Sequence, residues 1–320
     1  MHNHETSLLP RYVKVKWLQL NVTITVQLNV DVNPRLINLL LSHLPYRSLQ
    51  NHALVSGDHL YHLVPSERLI YTVADYIVPD RTTEPDGTVF LSGLQHLAIK
   101  YGPLTENLPA APCGSVVPQD MEKLRNVGNC VWKAHTENKQ IIEVIAWDAR
   151  EPEPKQLVPL ALERTGSTAE TDKSWTGVAF DIQQIHRGQS PSYAGSKNSY
   201  FATMIFTNGE VRSLGYNVLN NILKIAATQP QFDLQHLMTL YHVFASIPSE
   251  FLGYVGATFL QDTYHKISEL MKTHILSNAN HEEARQDFLA IVSAFALYVN
   301  LLNAQNLHIF PWRHTVEYPI

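Results

Sequence analysis

Between residues 12 and 30 apolar and polar side chains alternate, with Val13, Val15 and Trp17 in one phase and Leu18, Leu20, Val22, Ile24, Val26 and Leu28 in the other. A period of two puts neighbours on opposite faces of a strand, so two strands are predicted here, and the change of phase predicts a bulge or a tight reversal between them. Asn33-Pro34 then reads as an N-cap followed by proline at the first helical position. Leu36, Ile37, Leu40 and Leu44 form one apolar stripe behind it, ending before Pro45. Further strand-like pieces lie at residues 48–55, 60–64, 69–76, 88–91, 97–101, 127–136 and 141–149, separated by Gly, Pro or Asp-Gly turn signals. About eight short strands with one helix suggest a closed or nearly closed barrel, since closure leaves few unpaired edges.

The period changes after a proline-rich stretch, residues 149–173, that reads as a linker. Helical stripes follow: Val211, Leu214, Val218, Ile222 and Ile225; Leu237, Leu240, Tyr241 and Phe244; Leu252, Val255, Phe259, Ile267 and Met271; then Phe288, Ile291, Val292, Phe295, Val299 and Leu302. Tyr241, Tyr264 and Tyr298 read as core or subunit interface. A weaker amphipathic helix is expected from Ser174, and residues 188–208 have no clear period. The expected organisation is a β-barrel domain over 1–150, a linker over 151–173 and a helical bundle over 174–320, an α+β multidomain chain.

Composition narrows the partners. With 24 basic against 29 acidic residues the net charge is -5, so no broad cationic field exists for nucleic acid or anionic lipid. No stretch of about 18 uninterrupted apolar residues occurs and the first residues do not read as a secretory signal, so a soluble cytoplasmic protein is expected. The two cysteines, Cys113 and Cys130, are expected to be reduced thiols. His59 and His62, three apart on a predicted strand, should point to opposite faces, so no metal site is expected there.

No two glycines stand one residue apart, which removes the dinucleotide fingerprint and any phosphate-cradling Gly-rich loop. Gly-x-Ser-x-Gly, His-Glu-x-x-His and Cys-x-x-Cys patterns are missing too. Candidate chemistry sits on the strands. In SLQNHALVSG, Ser48, Gln50, His52 and Leu54 share one face, and His52 is either a hydrogen-bonded sheet histidine or a general acid or base. Lys100 and Tyr101 end a strand before Gly102-Pro103, where a cation and a phenol can bind a carboxylate and move a proton. Lys133 and His135, two apart on a predicted strand, share a face. Asp148 and Arg150 read as a local ion pair.

NPRLINLLLSHLP, SLQNHALVSGDHLYHLVP and LAIKYG resemble the cyclophilin-like barrel of small bacterial proteins of unassigned role. Joined to a helical bundle, the chain resembles the cucumopine and mikimopine synthases encoded on agrobacterial transferred DNA. The resemblance implies condensation of L-histidine with 2-oxoglutarate in a Pictet–Spengler-type closure, without reduction and without a cofactor, by a homo-oligomer in the cytoplasm of the transformed plant cell. Two substrates carrying three carboxylates require cations in the pocket. Arg47, Lys100 and Lys133 are therefore the expected carboxylate contacts, with His52 and Tyr101 as the proton-transferring residues. A prolyl isomerase and a non-catalytic carboxylate-binding protein are the alternatives.

Overall fold

The computed structural model describes residues 10–138, 140–155, 209–254 and 258–309. The predicted helix at Ser174, residues 188–208 and most of the predicted linker lie outside the described residues. The chain divides into two compact units, Met1–Trp132 with Ile142–Ala161, and Lys133–Ile141 with Leu162–Ile320.

The first unit is built on nine antiparallel strands: β1 (Arg11–Trp17), β2 (Val22–Leu28), β3 (Tyr46–Leu49), β4 (Asn51–His52), β5 (Gly57–Leu63), β6 (Thr88–Leu91), β7 (His96–Leu104), β8 (Ala111–Val116) and β9 (Glu143–Asp148). Their spatial order is β3-β9-β1-β2-β8-β6-β7-β5-β4. The two outermost strands, β3 and β4, are one stretch of chain separated only by Gln50, so the sheet comes round on itself as a nearly closed barrel. Gln50 makes that join. Its backbone N–H donates to the Ile142 carbonyl at 2.8 Å. Its side-chain oxygen accepts from the Trp17 indole at 2.8 Å, and its amide donates to the Asn51 and Tyr61 carbonyls, each at 2.9 Å.

Register decides which side chains point inward. Val13 faces Val26, Val15 faces Ile24 and Ala146, and Ala146 faces Tyr46. Around the other side His52 faces Leu60, Leu60 faces Ile99 and Ile99 faces Val89. These apolar positions are almost wholly buried and form the barrel core. Tyr46, Ser48, Gln50 and His52 follow the same parity and point inward, as do Ile99 and Tyr101, whereas Arg47 and Lys100 point outward.

The change of phase near residue 18 is a tight reversal rather than a bulge: Trp17 pairs with Val22, and Asn21 takes a φ of 50°, which asparagine tolerates. The first helix, α1 (Pro34–Ser42), begins at Pro34, but the side chain of Asn33 does not cap it. That fully buried amide instead donates to the Tyr76 and Pro112 carbonyls and accepts from the Tyr76 N–H. Three long-range bonds outcompete one local cap.

Two expected strands are not found and one observed strand was not expected. Residues 69–76 form no strand; a short 3-10 turn at Glu67–Ile70 precedes irregular chain. β8 is absent from the sequence reading because Pro112 and Gly114 look like turn residues, yet the register slips there, a place where a strand tolerates proline. Residues 127–136 belong to a helix, α2 (Met121–Lys133), and a wide π turn at Ala134–Asn138. The buried residues of α2 are Leu124, Val127, Gly128 and Val131, a helical stripe that begins before the window read as alternating.

The described helices of the second unit include α3 (Asn220–Thr228), α4 (Leu234–Tyr254), α5 (Thr258–Leu270) and α6 (His281–Ile309). Phe288, Ile291, Val292, Phe295, Val299 and Leu302 are buried as the stripe predicts, whereas Phe244 is exposed. Tyr241 stacks on Tyr264 with centroids 5.5 Å apart, which makes both core residues. Among the described residues one stretch, His281–Asn303, is long and apolar enough to cross a membrane, and 89% of its apolar window is buried inside protein.

Candidate active site

The chemistry collects at one end of the β5–β7 ladder. Gly57 opens β5 at a φ of 88°, and a Cβ there would meet the Pro103 carbonyl oxygen at 2.4 Å, so only glycine brings the two chains this close. The register slips between Gly57 and His59, which sets Asp58 opposite residues 101–103. Polar side chains then emerge on both faces.

On the inward face His52 and Tyr101 meet. The Ala53 carbonyl, which can only accept, lies 2.6 Å from His52 Nδ1 and so fixes the proton on that nitrogen. Nε2 lies 2.6 Å from the Tyr101 hydroxyl, whose single proton is shared between this nitrogen and the Asp58 carboxylate, its second hydrogen-bond partner. Burial lowers the His52 pKa, opposed by the Ala53 carbonyl and Asp58. Burial, with Asp58 beside it, raises that of Tyr101, so the neutral pair is favoured. Trp132 stands edge-on to His52 with centroids 4.9 Å apart, and the Tyr101 ring lies directly against Gly128 of α2.

Deeper in the barrel, the Tyr46 hydroxyl donates to His62 Nε2 at 2.7 Å, and His62 Nδ1 lies 3.3 Å from the Gln50 oxygen. Burial pushes the His62 pKa down to about 3. This neutral histidine is part of the packed core.

The outward face carries a different set. Arg81 donates to Glu106 Oε2 at 2.6 Å, and Ser56 Oγ donates to the same oxygen at 2.5 Å. His59 is 5% exposed, and its Nε2 has no hydrogen-bond partner. Burial first, then the charge of Arg81 and the nearby His96 and His52, pushes its pKa down to about 3. Tyr61 and His96 lie ring to ring at 4.6 Å. Val78 and Ala110, joined by an isolated antiparallel bridge, pack with Tyr61 on Phe90 and Ala98 and roof this face.

The structure brings His52 and Tyr101 together but separates them from the three expected cations. Arg47 points to the opposite side of its strand, paired with Glu143 at 3.6 Å. Lys100 alternates with Tyr101 and points outward, where its ammonium donates to the Thr82 carbonyl at 2.9 Å and to that of Glu84, with Asp86 at 3.9 Å. It anchors the turn that carries Arg81. Lys133 is exposed at the last position of α2, and because its segment is helical it does not share a strand face with His135. His59 and His62 do point to opposite faces, and Asp148 and Arg150 form their local pair at 2.6 Å. Both cysteines are free, Cys113 buried and Cys130 exposed.

Asp58, Trp132, Ser56, Arg81, His96 and Glu106 were not legible as site residues, because they come from β5, β7, their flanking turns, a 3-10 turn and α2 and meet only in the folded chain. The one local signal was the Ser-Gly-Asp turn itself. No group of three or more His, Cys, Asp or Glu side chains able to hold a metal ion occurs among the described residues.

Residues 166–309 match the model of the cucumopine synthase C-terminal helical bundle domain. The structure of McbB in complex with tryptophan is similar over 96% of this chain and 99% of that one, with 43% sequence identity and a TM-score of 0.83. The solution structure of hypothetical protein AF2241 from Archaeoglobus fulgidus aligns with 45% of this chain and 99% of that one at 11% identity, but its TM-score of 0.31 supports no conclusion. No curated protein sequence gives a significant match. Similarity to McbB along almost the whole chain, with the bundle model matching its C-terminal part, places this protein in the family of cucumopine synthase-like Pictet–Spengler enzymes.

Proposed function

We propose that the protein condenses L-histidine with 2-oxoglutarate to cucumopine or its diastereomer mikimopine, without a nicotinamide or other cofactor. The amine attacks the keto carbon, the carbinolamine loses water, and the imidazole carbon closes on the iminium carbon. A base then removes the ring proton and restores aromaticity. The observation that carries the reading is the Arg81–Glu106–Ser56 cluster beside His59. It combines a bidentate-capable cation for a substrate carboxylate with a carboxylate base. Both donors hold Glu106 through Oε2, which orients the carboxyl group while Oε1 is the oxygen proposed to take the ring proton.

His52 and Tyr101 meet on the inward face, opposite the Arg81–Glu106–Ser56 cluster, and are proposed to hold this end of the barrel rather than to move the dehydration proton. Arg47, Lys100 and Lys133 are left out of substrate contact. Arg47 projects from β3 beside Glu143 of β9 rather than from the β5–β7 ladder, Lys100 is occupied by the turn it anchors, and Lys133 lies on an exposed helix end. Aligning iminium and ring carbon can account for up to roughly 7–11 kcal/mol of barrier reduction by making the closure intramolecular.

The tryptophan bound by McbB favours a second reading in which tryptophan is the amine, closing through an indole carbon by the same sequence of steps. Purified protein is incubated with 2-oxoglutarate and either histidine or tryptophan, with no nicotinamide present. A product whose mass equals the two substrates less one water identifies the amine. Binding of 2-oxoglutarate without product from either amino acid overturns the proposal and points to a binding protein.

A further inference from the structure

Polar atoms sealed inside proteins are almost always hydrogen-bonded, so one without a partner beside a charged cluster calls for an explanation. His59 is such a case. It is 95% buried by its 5% exposure, it sits on the outward face of β5 opposite Lys100, and its Nε2 lacks a partner. Its ring is held edge-on against Phe90, centroids 6.2 Å apart. Its backbone carbonyl accepts from Ala53 N–H at 2.8 Å, so the strand that carries it is pinned in place. Arg81 stands close enough to disfavour any positive charge on the ring.

We propose that His59 is a further substrate-binding residue, whose Nε2–H donates a hydrogen bond to the keto oxygen of a 2-oxo acid while Arg81 receives the adjacent carboxylate. The keto oxygen and the carboxylate of a 2-oxo acid sit on neighbouring carbons, which suits one cation and one neutral donor side by side. A neutral imidazole is the right donor here: it polarises the carbonyl as the amine attacks, and it holds the resulting carbinolamine oxygen without giving up a proton. The proton that leaves with that oxygen as water comes from elsewhere. The pKa of about 3 supports this division of labour, because His59 stays uncharged at any pH at which the amine substrate reacts.

The inference rests on the proposed use of 2-oxo acids, but it is tested by binding and stability rather than by turnover. His59→Phe fills the site and removes the unpaired atom. Its thermal midpoint should equal or exceed that of the parent, while calorimetric affinity for 2-oxoglutarate alone should fall about tenfold or more, the change expected when a donor to a buried substrate oxygen is lost. His59→Gln, which keeps an N–H donor, should recover part of that affinity. Unchanged 2-oxoglutarate binding in His59→Phe overturns the proposal. So does a lowered thermal midpoint with binding intact, which would mark His59 as purely structural, and so does a parent protein that binds no 2-oxo acid. A parent that binds 2-oxoglutarate through His59 but forms no product instead defeats the synthase reading and leaves this one standing.

Discussion

Gly128→Ala sets two physical effects of opposite sign against each other at the His52–Tyr101 pair. Gly128 lies in the interior of α2, where alanine is favoured over glycine by about 1 kcal/mol on helix propensity. A Cβ at this position, however, would stand 2.4–2.6 Å from three carbons of the Tyr101 ring. Neither side can yield freely, because Gly128 is on the buried stripe of α2 and Tyr101 is 6% exposed on β7. Overpacking of this kind costs about 1–3 kcal/mol, and moving the ring strains or breaks the buried 2.6 Å bond to His52, worth about 1–3 kcal/mol when a polar atom is stranded. The net expectation is destabilisation by about 1–5 kcal/mol after the propensity gain is subtracted. Urea denaturation followed by tryptophan fluorescence reads it directly. Gly209→Ala is the control, since a Cβ there meets nothing within 4 Å, and it should be neutral or slightly stabilising. If Gly128→Ala unfolds at the same urea concentration as the parent or a higher one, the claim that this glycine makes room for the tyrosine is refuted.

Glu106→Gln keeps an acceptor for Arg81 and Ser56 but removes the base; product formation should fall by about 10²–10⁴-fold with little change in the unfolding midpoint, and near-parental activity would take Glu106 out of the mechanism. Lys100→Met removes the donor to the Thr82 and Glu84 carbonyls, so it should destabilise the fold by about 1–3 kcal/mol and raise KM through the loosened Arg81 turn, whereas a KM change alone would argue for direct substrate contact. His59 and His62 have folded pKa values depressed to about 3 from an ordinary 6.5, so stability is full above pH 6.5, falls as pH drops towards 3 and levels off below. Each contributes a slope of about 1.4 kcal/mol per pH unit in that window, and urea titrations should show His59→Phe reducing the slope by one histidine's share.

What the sequence determined by itself is what local periodicity can encode. The alternation through Val13, Val15 and Trp17, Pro34 at the start of a helix and the apolar stripe through Phe288, Phe295 and Leu302 each follow from how often a side chain returns to one face. Period also placed His52 with Gln50 and Ser48 on one side of their strand, and the missing glycine pairs left no dinucleotide fingerprint to be read. The same rule, applied to Arg47 and Lys100, puts them out of phase with His52 and Tyr101, so their outward placement was legible although all four read as substrate-facing.

Tertiary structure alone decided the rest. Leu124, Val127 and Val131 become a helix face only because the barrel offers a surface to bury them, and a short window cannot see that surface. The site itself joins residues far apart in the chain: Tyr101 to His52, and Glu106 to Arg81 and Ser56. Those pairings are set by the register of β5 against β7, a long-range choice fixed by which apolar side chains enter the barrel together. Residue type announced the possible chemistry, but only closure of the barrel determined which groups meet.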